Sequence, residues 1–334
     1  MLEDFSFLPN RERALSLDAG MRGGLADSLE YLAEAARAHM AFDAERLNAR
    51  IAQMRSGQRF SPSTFADYYD LVPALATGDP TAANALFAAI CEAEPMADGL
   101  HVAAFGHGDL AGETDRFARM MKDAEDEGAP DILPPSVGQA EAFAERLSLG
   151  LELLDAAAPL VSGEIRAIVS QIVIVRGAPE KEVKLDGGSH YRLWGALFLN
   201  ADFHPTRLAM AEVLAHEASH SLLFGFCLDE ALTKNDDEAR YASPLRLDPR
   251  PMEGIYHATF VSARMYWAMR ALSSSLLLTP VEQADARRRA EEDAVNFRAG
   301  LAVLRADAGM TNVGAGLMDA ASAYMKSVGA LEVD

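Results

Sequence analysis

Residues 165–177, IRAIVSQIVIVRG, are a short, continuous β-branched run in a chain otherwise dominated by alanine, leucine and charged residues. Such a run reads as a buried strand. A second strand is expected at WGALFLN, residues 194–200. Two segments of this length make only a small sheet, so most of the 334 residues must be helical. The expected fold is mainly α with a small β-sheet, an α+β arrangement.

The helices are expected from apolar residues recurring at three and four. Residues 23–55 read as amphipathic helix, and residues 61–94 as two more, separated by ATGDP and capped by Thr81. Residues 126–138 are rich in Pro and Gly and read as a linker or long surface loop, after which helix resumes through GQAEAFAERLSLGLELLDAAAPL. A loop is expected at GAPEKEVKLDGGSHY. Pro205 opens the next helix, TRLAMAEVLAHEASHSLLF, which is expected to stop near Gly225. The stretch 227–254 is polar and interrupted by Pro, so it is expected to be irregular. Long helices follow at 255–277, 280–306 and 311–329. The helix after the strands is expected to pack against these C-terminal helices.

The formal net charge of −20 argues against a protein that grips nucleic acid or anionic lipid through its general field. No apolar run reaches the roughly 18 residues of a membrane span. With two cysteines, Cys91 and Cys227, no disulfide framework is expected. The N-terminal residues lack the apolar core of a signal peptide, so a cytoplasmic location is expected.

Inside the 205–225 helix lies VLAHEASHSLLF, with His216, Glu217 and His220 in H-E-x-x-H spacing. Four residues on a helix are about one turn, a rise of about 6 Å, so both imidazoles can aim at one metal ion. Glu217 projects roughly 100° round from His216, where it can touch a metal-bound water or a substrate. A catalytic metal site needs a third protein ligand and open positions. The extension HExxHxxGxxH is excluded, because Leu223 and Phe226 stand where Gly and His are required. His257, at the head of the 255–277 helix, is the preferred third ligand. Glu253 is the alternative, and Glu230 and Glu238 are further carboxylate candidates. His190 and His204 flank the second strand and the motif helix and are weaker candidates.

The pairing of LAHEASHSLLF with SPLRLDPRPMEGIYHATFVSAR resembles the HExxH-motif family of peptide-modifying proteins encoded with ribosomally made peptide natural products. The resemblance covers roughly residues 160–275 and maps onto His216, Glu217, His220, Arg250, Pro251, Gly254 and His257. It implies an Fe(II) site of three histidines, 2-oxoglutarate as co-substrate, and hydroxylation of a side-chain carbon, Cβ above all, in a precursor peptide. With the change of texture along the chain, a division is expected into residues 1–150, a helical region with a peptide-recognition role, and 151–334, a metal-binding catalytic domain. A three-histidine face departs from the usual two-histidine, one-carboxylate triad and leaves the site one unit more positive. A dianionic 2-oxoacid offsets that charge, and its distal carboxylate calls for an arginine. Arg246, Arg250 and Arg192 are the candidates. The alternative reading is a zinc metallopeptidase in which Glu217 acts as general base on a zinc-bound water.

Overall fold

The structure is a computed structural model that describes residues 4–122, 131–178, 185–243 and 248–332. Among these residues the helices are α1 (Arg11–Ala36), α2 (Ala44–Arg55), α3 (Pro62–Thr77), α4 (Pro80–Glu92), α5 (Thr114–Met120) and α6 (Val137–Ala157). They continue with α7 (Pro159–Ile168), α8 (Arg207–Phe226), α9 (Met252–Ser273), α10 (Pro280–Asp307) and α11 (Asn312–Ser327). The strands are β1 (His101–Ala104), β2 (Ile132–Leu133), β3 (Gln171–Gly177), β4 (Gly187–Gly188) and β5 (Ala196–Asn200). The protein is therefore mainly α with a small mixed sheet, as the rarity of β-branched runs predicts.

β3, the longest strand among the described residues, is central, and it and β5 are buried on both faces. It pairs in parallel with β1, where His101 faces Gln171, and with β5, where Gln171 faces Ala196. β4 pairs antiparallel with β5, and β2 antiparallel with the end of β3. Val173, Val175, Ala196 and Phe198 pack with Phe105, Phe117 and Met120 in the core beside this sheet.

Contacts divide the chain into two compact units, and neither is one continuous stretch. The sheet-bearing unit comprises 15–144 and 166–203; the other comprises 1–14, 145–165 and 204–334 and carries α8 to α11. Residue 150, where the sequence reading divides the chain, lies inside α6. In the second unit Glu164 is buried between two buried arginines. Arg13 reaches its Oε2 at 3.2 Å, and Arg264 makes a close contact with its Oε1. The same arginines bind the backbone of the N-terminal segment at Ser6, Leu8 and Phe7. Phe7 stacks on Tyr324 at 4.7 Å and meets Phe260 edge-on at 6.0 Å.

Several boundaries differ from the sequence expectation. The helix read over 23–55 is two helices, the first starting at Arg11, and the second is capped by Asp43, whose carboxylate accepts from the Arg46 N–H. Asp79, not Thr81, caps α4, because its side chain reaches the N–H groups of both Thr81 and Ala82. Residues 165–168 belong to α7, opened by Pro159, so the strand starts only at Gln171. Pro205 lies before α8 rather than in it; Thr206 takes the cap and accepts from the Ala209 N–H at 3.1 Å. Gly225 is inside α8, which runs to Phe226. Of the expected loops, residues 126–130 and 179–184 lie outside the described residues. The remainder of those two loops contributes β2 and β4. Between 227 and 251 the described residues hold no helix, only the bridges Thr233 with Met310 and Tyr241 with Arg250.

Candidate metal centre

α8 is buried on nearly every side, so its polar residues must be satisfied from within or by α9. Ser219 donates back to the Ala215 carbonyl at 2.7 Å. The two motif histidines converge as their spacing requires: His216 Nε2 and His220 Nε2 are 3.1 Å apart. The Glu217 carboxylate, 4% exposed, lies 3.8 Å from His216 Nε2. The potential ligand atoms of His216, Glu217 and His220 all fall within 4.8 Å of one another.

α9 supplies the surroundings. His257 Nδ1 is 3.0 Å from His220 Nδ1, and the two rings are nearly parallel at 15°. Phe224, one turn beyond His220, packs on the His257 ring at 5.2 Å. His216 Nδ1 meets the Met265 sulfur at 3.2 Å. Residue 220 thus meets 257 while 216 meets 265, an antiparallel order of contacts. Both nitrogens of His220 face another imidazole nitrogen. His257 approaches its Nδ1, opposite the Nε2 that points towards His216, so His257 does not join the His216–Glu217–His220 group in this arrangement. It sits where an orienting partner of a ligating histidine belongs.

Burial, reinforced by the positive charge His216 and His257 would carry, holds His220 well below the usual imidazole range. His220 is therefore neutral near pH 7, the protonation state a metal requires. Two Nε2 atoms this close need a cation or a shared proton between them. Nitrogens about 2.1 Å from one ion lie about 3.0 Å apart at a right angle and about 3.4 Å at a tetrahedral angle. The observed 3.1 Å fits that interval, and it also fits an N–H···N hydrogen bond when one imidazole keeps its proton.

The remaining candidates fall as follows. Glu253 Oε1 lies 3.9 Å from His257 Nε2, and its other oxygen accepts from Thr233 at 3.1 Å. Burial raises its carboxyl pKa against the pull of that hydrogen bond. Glu230 accepts from the Val313 N–H at 3.3 Å, at the start of α11, and Glu238 is exposed. Arg250 exchanges backbone hydrogen bonds with Tyr241 and pairs with Asp248 at 3.5 Å. Arg246 lies outside the described residues. Arg192 belongs to the sheet-bearing unit, where its backbone N–H donates to His190 Nδ1 at 3.2 Å. His204 holds a left-handed backbone with φ of 57° ahead of α8. Met265 and Phe224, which touch the histidines, carried no signal in the sequence. Their contacts arise from the packing of α9 on α8.

No protein-family model matches the chain, and no curated protein matches it.

Proposed function

We propose that this chain is a peptide hydroxylase that uses Fe(II) and 2-oxoglutarate to oxidise a side-chain carbon, Cβ above all, of a ribosomally made precursor peptide in the cytoplasm. The observation that carries the metal part is the pair of Nε2 atoms 3.1 Å apart beside a buried carboxylate. The resemblance of 213–224 and 243–264 to HExxH-motif peptide-modifying proteins supports the choice of chemistry. Imidazole and carboxylate donors suit Fe(II), and two histidines with one carboxylate are the usual set of its oxygenases.

His216 and His220 would hold the ion through Nε2. Their third partner is His257 by the resemblance and Glu217 by proximity. His257 at Nδ1 of His220 would orient that ring, and when His220 Nδ1 is the donor the Nε2 lone pair is left for the ion. Bound iron with 2-oxoglutarate and O₂ supplies an oxidant that removes hydrogen from an unactivated carbon while the 2-oxoacid becomes succinate and CO₂. Arg246 or Arg250, in the segment between the two histidine-bearing helices, would pair with the distal carboxylate of the 2-oxoacid.

Incubation with Fe(II), 2-oxoglutarate and the peptide encoded beside the gene should give a product 16 mass units heavier, with one succinate per hydroxylation. Iron bound normally but no succinate with any peptide overturns the reading. His216→Ala should reduce iron retained by anaerobically purified protein at least about tenfold.

The buried carboxylate of Glu217, 3.8 Å from His216 Nε2, favours a second reading, zinc-dependent peptide hydrolysis with Glu217 as general base. In that case Glu217→Gln abolishes hydrolysis while zinc stays bound, and persistent hydrolysis in the variant excludes it.

A further inference from the structure

Within the sheet-bearing unit, α3 and the turn before β5 bring three tyrosines and one guanidinium together. Tyr68 and Tyr69 meet edge to face at 5.1 Å, and Tyr69 meets Tyr191 at 5.5 Å in the same manner. The Arg192 guanidinium carbon stands 5.5 Å from the centre of the Tyr191 ring. All four side chains are half-buried.

The acids nearest in sequence to these tyrosines are already engaged. Asp67 is held by Arg116, which also binds Glu113. Asp70 is held by both terminal nitrogens of Arg119, at 2.7 and 3.0 Å. Among the described residues nothing accepts a hydrogen bond from the Arg192 side chain, and the hydroxyls of Tyr68 and Tyr69 make none. Burial, with Tyr191 and Tyr68 alongside, pushes the Tyr69 hydroxyl up to about 12, so it keeps its proton and donates. A half-buried guanidinium with five donors normally finds a carboxylate. This chain has 50 acidic residues against 30 basic ones, yet among the described residues none pairs with Arg192. A half-buried guanidinium held on a tyrosine ring in this way is suited to a ligand with a carboxylate.

We infer that Arg192, Tyr69 and Tyr68 form a carboxylate subsite that takes an acidic side chain of a peptide, with the tyrosine rings receiving its aromatic or apolar neighbours. The inference rests on the peptide-substrate reading and adds to it that the substrate is acidic at one position. The guanidinium binds the carboxylate oxygens and the phenols donate to their remaining lone pairs. Edge-to-face tyrosines leave ring surface open to a further ring. A free 2-oxoacid offers the same carboxylate, and the experiment separates the two sources.

The full chain is titrated calorimetrically with acetyl-Phe-Glu-Phe-amide, with its Gln counterpart, and with 2-oxoglutarate. The Glu peptide is expected to bind about tenfold more tightly than the Gln peptide. Arg192→Gln should erase that preference, Arg192→Lys should keep part of it, and Tyr69→Phe should weaken the Glu peptide about threefold while leaving the Gln peptide unchanged. The Lys and Phe variants retain charge and ring, so they carry the test if the Gln variant unfolds. Equal binding of the two peptides, no binding of either, or an unchanged preference in all three variants overturns the inference. So does loss of 2-oxoglutarate binding in Arg192→Gln with the peptide preference intact, which assigns the arginine to the co-substrate. The titrations need neither metal nor turnover. A failed hydroxylation assay with intact peptide preference counts against the hydroxylase reading alone, and the converse result against the subsite alone.

Discussion

Glu164 and Asp293 are two buried carboxylates with contrasting surroundings. Glu164 has a guanidinium on each oxygen, and its removal leaves Arg13 and Arg264 buried without their counter-charge. Glu164→Ala should cost about 3–5 kcal/mol in urea unfolding, whereas loss of a surface pair such as Arg288 with Glu292 should leave the unfolding midpoint nearly unchanged. Asp293, 5% exposed, leaves Oδ2 without a hydrogen-bond partner among the described residues. Burial first, then Glu212 and Glu292, raise its carboxyl to about 8 against the pull of Arg289. The native state then keeps a proton that the unfolded chain releases near about 4. Stability therefore falls as pH rises from about 4 to about 8, and the penalty is complete above that. Asp293→Asn should flatten this fall and raise the melting temperature at pH 9 more than at pH 5. Equal shifts at both pH values would count against a protonated Asp293.

At the scale of elements, α9 and α10 approach closely where Gly300 faces Thr259. A Cβ at Gly300 would run into the Thr259 hydroxyl, which donates to the Ile255 carbonyl at 2.7 Å. Gly300→Val should cost about 1–3 kcal/mol by chemical denaturation, and Thr259→Ala in the same chain should return part of it. Such a crossing is invisible in the sequence, where Gly300 reads only as a weak point in a long helix. The legible features were those set by neighbours in the chain. His216 and His220 meet because helical spacing makes them meet, and β3 is a strand because its residues are β-branched. Breaks marked by a side chain that also suits a helix were harder to read. Asp43 lies in an apolar pattern that continues across it, and Asp79 competes with Thr81 for the same cap. At the metal centre, the side of His220 on which His257 lies depends on how α9 rolls against α8. Spacing along the chain contains no such information.

For the whole molecule, the interleaving of the two units decides what can be cut. A fragment of residues 151–334 retains α8 to α11 but loses residues 1–14 and 145–150 of the same unit. Arg264 and Glu164 would then lack Arg13, and Phe260 and Tyr324 would lack Phe7. The fragment should keep far-UV helical signal with weakened near-UV signal, and it should bind dye as a loosely packed state does. Sharp near-UV bands equal to those of the full chain would show that the N-terminal segment is dispensable. The contact between the Phe7 carbonyl and Arg264 spans 257 residues. On a ribosome, Phe7 emerges long before the helix that binds it has been synthesised. At about 5–20 residues per second, the nascent chain must carry this aromatic segment unsheltered for roughly 13–50 seconds. The contacts that the segment around Phe7 makes with α9 and α11 can form only after those helices have been synthesised, so chaperone demand should fall on this segment rather than on the helices that later bind it.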